Sequence, residues 1–369
     1  MKFLIAPNAF KGTIDAEKAA HIIRRSLAEE ISDLEAELCP IADGGDGTCQ
    51  LLARELKLNE YLFPALNARG RPVLGSIYLN ISQDTALLDI STVSGLKGLT
   101  PYEIDAHLSS SYGTGELIVQ AMRMGVKHFI VGLGGSATID MGTGILSALG
   151  FHFLDNKGRE IPLFSPGFLA KISHIQNPIK PPKIDFTCLC DVRNLFFGRD
   201  GAIPIFGSQK GLKPEEYKAF EEVSLDVFDL LKAKSTLDLK DREGFGAAGG
   251  IALGLSAFFQ VKMEPGAKFF FQQVDMERRV MKADWVITGE GRYDMQSSGG
   301  KGSYELLQLA KKHQKKTMLV TSGEEGKESG FDVVIQIQDL DFNSPRFQKQ
   351  AEKNLLEGVK KFIKKEIKD

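Results

Sequence analysis

Glycine constrains this chain more than any other residue type, because many of its 38 glycines gather in short clusters directly after apolar runs of strand character. A strand that ends in a glycine turn and leads into a helical pattern is the repeating unit of an α/β fold. Residues 2–6 end at Pro7 and pass through Lys11-Gly12-Thr13 into a pattern that places Ala16, Ala19, Ala20, Ile23 and Leu27 on one helical face. A second strand, ending near Ile41, meets Ala42-Asp43-Gly44-Gly45-Asp46-Gly47-Thr48 and then a helical stretch from Cys49 to Leu56. From about residue 65 the pattern changes to alternating segments, 73–81 and 85–90, as a mixed sheet requires. A strand at 128–131 then feeds a glycine turn and a helix at 143–149, and strands at 285–288, 318–321 and 333–337 again alternate with helices. At roughly 150 residues per domain, 369 residues make two domains. The expected architecture is one α/β domain from residues 1–64 and 285–369, a second α/β domain inserted at 65–284, and an active site in the cleft between them.

Backbone N–H groups exposed by such turns, with a helix N-terminus behind them, hold anionic oxygens. Gly132-Leu133-Gly134-Gly135-Ser136-Ala137 is the sharpest case. It satisfies the dinucleotide fingerprint with Ala in the last place, and Asp155 follows about 18 residues later, near the spacing of a ribose-binding acid. An NAD(P)-dependent dehydrogenase is therefore one reading. The same segment resembles the Gly-Leu-Gly-Ser-Ser-Ala loop of small-molecule kinases of the galactokinase and homoserine kinase type, and a non-catalytic binder of a small phosphorylated ligand is a third reading. Gly299-Gly300-Lys301-Gly302 lacks the first glycine of a Walker A loop, so nucleotide use rests on other segments. These are Cys190-Asp191-Val192-Arg193-Asn194, Gly207-Ser208-Gln209-Lys210-Gly211, Gly246-Ala247-Ala248-Gly249-Gly250 and Gly289-Glu290-Gly291-Arg292-Tyr293-Asp294. Carboxylates at strand ends suit magnesium, and nearby Lys or Arg suits phosphate. Asp43 and Asp46 equally suit helix caps, and Asp191 an ordinary turn, but packing does not require so many acid-plus-glycine loops after strands.

Other chemistries are excluded more simply. Lys plus Arg number 46 against 48 Asp plus Glu, giving a net charge of -2 and no electrostatic footprint for nucleic acid. The C-terminal lysines, Lys360 to Lys368, interleave with Val359, Phe362 and Ile363 as an amphipathic helix with a solvated face. No apolar run approaches the roughly 18 residues of a membrane span, and Met1 to Pro7 is too short an apolar core for a signal peptide. A cytoplasmic protein without membrane or nucleic-acid partners is expected. Cys39, Cys49, Cys188 and Cys190 read as reduced thiols, and Cys188-Leu189-Cys190 as a buried strand. The six histidines show no metal spacing, and neither Gly-x-Ser-x-Gly nor a cysteine nucleophile context is present.

Taken in order, the loops resemble the type 1 glycerate kinase family over essentially the whole chain. The matching stretches are Phe10-Lys11-Gly12; residues 42–48; Gly70-Arg71-Pro72-Val73; Tyr112-Gly113-Thr114-Gly115-Glu116; residues 132–138; Cys190-Asp191-Val192; Gln209-Lys210-Gly211; residues 246–250; and Gly289-Glu290-Gly291-Arg292 with Asp294 and Gln296. Asn8, Ala9, Asp89, Ile139, Met141 and Leu195 depart from the usual pattern. The resemblance implies a Rossmann- or flavodoxin-like domain beside a second α/β domain, and an ATP- and magnesium-dependent kinase of glycerate, as monomer or homodimer, commonly making 2-phosphoglycerate. Asp191, Asp43, Lys11 and Asp294, each in a loop just after an expected strand, are the expected catalytic residues, with Asp43 and Asp191 also on the metal. Arg71, Arg292, Asn194 and Lys210 are the expected substrate contacts. Gly132, Gly134, Gly135, Ser136, Gly249 and Glu290 are the expected nucleotide contacts.

Overall fold

The computed structural model describes residues 1–366 apart from 81, 83, 236, 294–300 and 343. Its strands are β1 (Lys2–Ile5), β2 (Glu35–Leu38), β3 (Asn59–Leu66), β4 (Pro72–Asn80), β5 (Thr85–Asp89), β6 (His128–Gly132), β7 (His152–Leu154), β8 (His174–Gln176), β9 (Asp185–Cys190), β10 (Gln260–Pro265), β11 (Trp285–Gly289), β12 (Lys316–Thr321) and β13 (Val333–Gln336). They fall into two units, residues 1–43 with 265–369, and residues 44–264.

The first unit carries a five-stranded sheet in the order β13-β12-β11-β1-β2, with every pair parallel. Numbered within the unit this is 2-1-3-4-5, the flavodoxin-like doubly wound order, and the strand order reverses between β1 and β11. Both chain ends contribute to its core. The helix Ala16–Ala28 starts where Asp15 accepts the Lys18 N–H at 2.8 Å, and its Ile23 and Leu27 are buried together with Phe3, Leu355, Val359 and Ile363. The Ser26 hydroxyl donates across to Leu356 O of the terminal helix Phe347–Glu366 at 3.3 Å.

The second unit holds a six-stranded mixed sheet, β10-β9-β6-β5-β4-β3, and a small antiparallel pair, β7-β8. β5, β6 and β9 run parallel, and β3, β4 and β5 antiparallel. Phe129 stacks on Phe186 at 5.6 Å between ring centres, and Phe186 meets Phe259 edge-on. Cys188 and Cys190 are buried on β9, and burial pushes the Cys190 thiol up to about 11.

The unit boundaries lie about 20 residues before those expected at 64/65 and 284/285. The helix Thr48–Glu55 belongs to the second unit because the N–H groups of Cys49 and Gln50 at its start donate to the Asp89 carboxylate at the end of β5, both at 3.0 Å. The helices Gly266–Gln273 and Met276–Lys282 belong to the first, tied by Arg279 to Glu37 at 3.0 Å and by Lys268 to Glu305. Among the described residues no helix is long and apolar enough to cross a membrane.

Candidate active site

Because β5, β6 and β9 are parallel, the loops that follow them leave one edge of the second sheet, and the register of β4 brings the 67–71 turn to the same edge. Glycine lets these loops lie backbone on backbone. A Cβ at Gly134 would fall within 3 Å of the Gly45 and Asp46 backbone, and one at Gly44, whose φ is +98°, would strike the backbone of Cys190. Residues 44–46 therefore lie against both the 132–135 turn and the end of β9. The 132–137 turn is pinned by Leu133 N–H to Leu189 O, Leu96 N–H to Gly135 O and Ala137 N–H to Ser94 O, at 2.9 to 3.0 Å. Gly249 packs on Thr138 and Gly246 on Leu195, which adds the 246–250 segment.

Electrostatics reinforce the arrangement. Lys210 is 3 % exposed, and its Nζ donates to Ser136 Oγ at 2.7 Å and to Thr138 O at 2.9 Å. Burial pulls its ammonium down to about 7, against the attraction of Asp140. Asp140 accepts from the N–H and hydroxyl of Ser111, both at 2.8 Å, and from Gly142 N–H; burial nonetheless raises its pKa. Burial also raises Asp89 to about 7, against the two helix N–H groups it accepts. Asp46 pairs with Lys97. The first N–H groups of the helix Thr48–Glu55 are thus taken by Asp89.

In the first unit, the β1 and β11 loops meet at the reversal of strand order, the place where open α/β sheets bind ligands. Asn8 N–H donates to Gly289 O at 2.8 Å, and Gly291 lies against Phe10 and Lys11. Lys11 and Arg292 are exposed there and Glu290 is buried. Asp43, 6 % exposed, accepts from Asn8 Nδ2 at 2.7 Å and packs against Gly302 at the head of the helix Gly302–Lys312.

The sequence-derived candidates thus separate by unit. Gly132, Gly134, Gly135, Ser136, Asp191, Asn194, Lys210, Gly249 and Arg71 lie in the second, and Lys11, Asp43, Glu290 and Arg292 in the first. Asp294 lies outside the described residues. Arg71 pairs with Glu103, Arg292 lies 3.7 Å from Glu325, and the Asn194 amide donates to Asp200 O. Sequence reasoning assigned no supporting role to Asp89, Asp140 or Ser111, which hold the loops from beneath. It also missed a cavity of about 300 Å³ formed by Ser109, Ser110, Phe164, Phe168, Phe220 and their neighbours.

The dinucleotide reading loses its structural context. After the glycine turn no helix opens until Thr143, so the pyrophosphate site at a helix N-terminus is missing. Asp155 instead closes its own turn, accepting from Lys157 N–H, Arg159 N–H and the Arg159 guanidinium, which hold its carboxyl down near 2.

Comparison with known proteins supplies a direct relationship. The model of the glycerate kinase family matches residues 3–365. The chain is 34% identical to a glycerate kinase of Haemophilus influenzae, covering 96% of each chain, and 31% identical to the glycerate 2-kinase of Escherichia coli K12, covering 92% of each. A crystal structure from Salmonella typhimurium LT2, assigned as glycerate kinase 2, superposes with a TM-score of 0.81 at 29% identity over 98% of this chain and 97% of that one.

Proposed function

The chain belongs to the glycerate kinase family and is a phosphotransferase with an alcohol acceptor, and from that premise we propose that it transfers the γ-phosphoryl group of ATP to the 2-hydroxyl of glycerate with magnesium. The observation that carries this reading is the 132–136 turn, held against Gly45 and Asp46 and braced from behind by Lys210. Phosphoryl transfer asks little covalent chemistry of a protein and much positioning. A turn fixed on three sides meets phosphate oxygens without rearranging.

The proposed division of labour follows the chemistry of each group. A carboxylate, assigned to Asp191, accepts the proton of the 2-hydroxyl as its oxygen bonds to the γ-phosphorus and the bond to the β-phosphate oxygen breaks, releasing ADP. Lys11 offers an exposed ammonium to phosphate oxygens, and Arg71 or Arg292 offers a guanidinium group to the carboxylate of glycerate. Gly132, Gly134, Gly135 and Ser136 face the phosphates, with Gly249 and Glu290 beside the nucleotide. Asn194 contacts substrate and Lys210 sets the position of Ser136.

The residues present fit a magnesium ion. Asp43 or Asp191 offers the hard carboxylate oxygen that such an ion takes. Magnesium is held in this way, by one or two carboxylates with substrate phosphates. Bound there, it neutralises charge on the transferring phosphoryl group.

Coupled measurement of ADP release tests the reading. Release should require glycerate, ATP and a divalent cation together; a metal-independent rate, or glycerate-dependent reduction of a nicotinamide nucleotide, would overturn it.

A further inference from the structure

Resting on the ATP reading above, we propose that the apolar cavity of the second unit receives the adenine ring of the nucleotide. Its volume of about 300 Å³ sits at the lower end of the range of small-molecule pockets. Phe164 and Phe168 form one wall, and Phe220 and Val223, from the helix Tyr217–Lys234, form another. Glycerate, three carbons bearing two hydroxyls and a carboxylate, gains nothing from such walls. A flat heteroaromatic ring gains stacking and edge contacts from them.

Two further observations point to a ligand. Ser165 lines the cavity, and its buried hydroxyl has no hydrogen-bond partner, an arrangement that is costly unless a ligand supplies the bond. Phe164 adopts φ +59°, a left-handed state uncommon for an aromatic residue, and is held in it by edge contact with Tyr112 and by packing on Gly70. Strain of this kind is kept where the surroundings over-determine it, commonly at ligand sites.

The cavity also continues the phosphate loop. Asp140 and Thr143 reach its surface, and they follow Thr138, the last residue of that loop, by two and five positions. Asp140, fixed by four hydrogen bonds from Ser111, Gly142 and Gly144, makes that passage rigid. A nucleotide with its base among the phenylalanines therefore has a short route for its phosphates to the 132–136 turn.

Ala219 is exposed and lines the cavity, so Ala219→Trp fills it from outside the core. In the full-length protein the variant should raise KM for ATP at least about tenfold, leave KM for glycerate within about twofold, and keep the wild-type melting temperature. Adenosine should compete with ATP in the wild type and lose that competition in the variant. Photolabelling of the wild type with 8-azido-ATP, followed by peptide mapping, should mark residues 163–170 or 215–223 and needs no folded variant. Wild-type turnover of ATP with an unchanged KM in a folded variant, or labelling confined to other peptides, overturns the adenine site while leaving the kinase reading intact. An absence of ATP turnover in the wild type overturns both.

Discussion

The close approach of residue 134 to residues 45 and 46 makes Gly134→Ala a sharp perturbation. The added Cβ would stand 2.6 Å from Gly45 Cα and nearer still to Gly45 C and Asp46 N. Atoms of this kind rest at about 3.5 to 4.0 Å, so the two backbones must part by roughly 1 Å. No flexible side chain is available to absorb the strain. Overpacking at such a point costs about 1 to 3 kcal/mol, which in a unit of this size lowers Tm by roughly 2 to 10 °C. The loop that moves carries Asp46 and follows directly on Asp43, and a misplacement of about 1 Å lowers turnover about 100-fold. Gly98→Ala is the control, since its Cβ meets nothing within 4 Å. Steady-state ADP release and thermal melting, run on both variants, decide the matter. A Gly134→Ala protein indistinguishable from the Gly98→Ala control in both measurements would refute the account of the turn.

Further outcomes are expected. Asp191→Asn should lower kcat about 100-fold or more with little change in Tm, because it removes the proposed proton acceptor without changing side-chain size; wild-type kcat would show that the base lies elsewhere. Lys11→Ala should lower kcat/KM for ATP roughly tenfold or more with an unchanged melting temperature, as the side chain is exposed and the contact proposed for it is a charge-assisted one to phosphate; equal kinetics would mark it as a solvated lysine. Lys210 has its pKa depressed to about 7 in the folded chain, so between about 7 and 10.5 the unfolded chain holds a proton that the folded chain has lost. Stability then rises with pH across that window, by up to about 1.4 kcal/mol per pH unit. Denaturant midpoints at pH 7 and pH 9 should therefore show the wild type gaining on Lys210→Met, and parallel pH profiles would contradict the burial of an ionisable amine.

Much of the fold is legible locally. β1, β6, β11 and β12 are short apolar runs closed by glycine or proline signals, and the helix Ala16–Ala28 announces itself by the spacing of Ala16, Ala19, Ala20, Ile23 and Leu27. The boundaries are not local. What assigns the helix Thr48–Glu55 to the second unit is a carboxylate 40 residues away, Asp89, accepting its first N–H groups. The glycine turns were readable as loops, but the reason they are glycines lies in the pairing of residues 44–46 with the 132–135 turn and with β9, which sequence spacing does not encode. Lys210 sits among polar and glycine residues that signal exposure, and its burial under Ser136 comes from long-range packing. The cavity draws its walls from residues 106–110, 163–170 and 215–223, segments that only folding brings together. The fingerprint at 132–137 misled in the opposite direction, because the motif is defined by a helix that this chain delays to Thr143.

Proton-coupled phosphorus NMR of the product made from glycerate, ATP and magnesium tests the central claim most directly. A phosphate on the 2-oxygen couples to the single proton of that carbon and gives a doublet, whereas one on the 3-oxygen couples to two and gives a triplet. A new doublet that grows in step with ADP is expected. A triplet would contradict transfer to the 2-hydroxyl, and ADP formation without any phosphoglycerate resonance would contradict phosphorylation of glycerate itself.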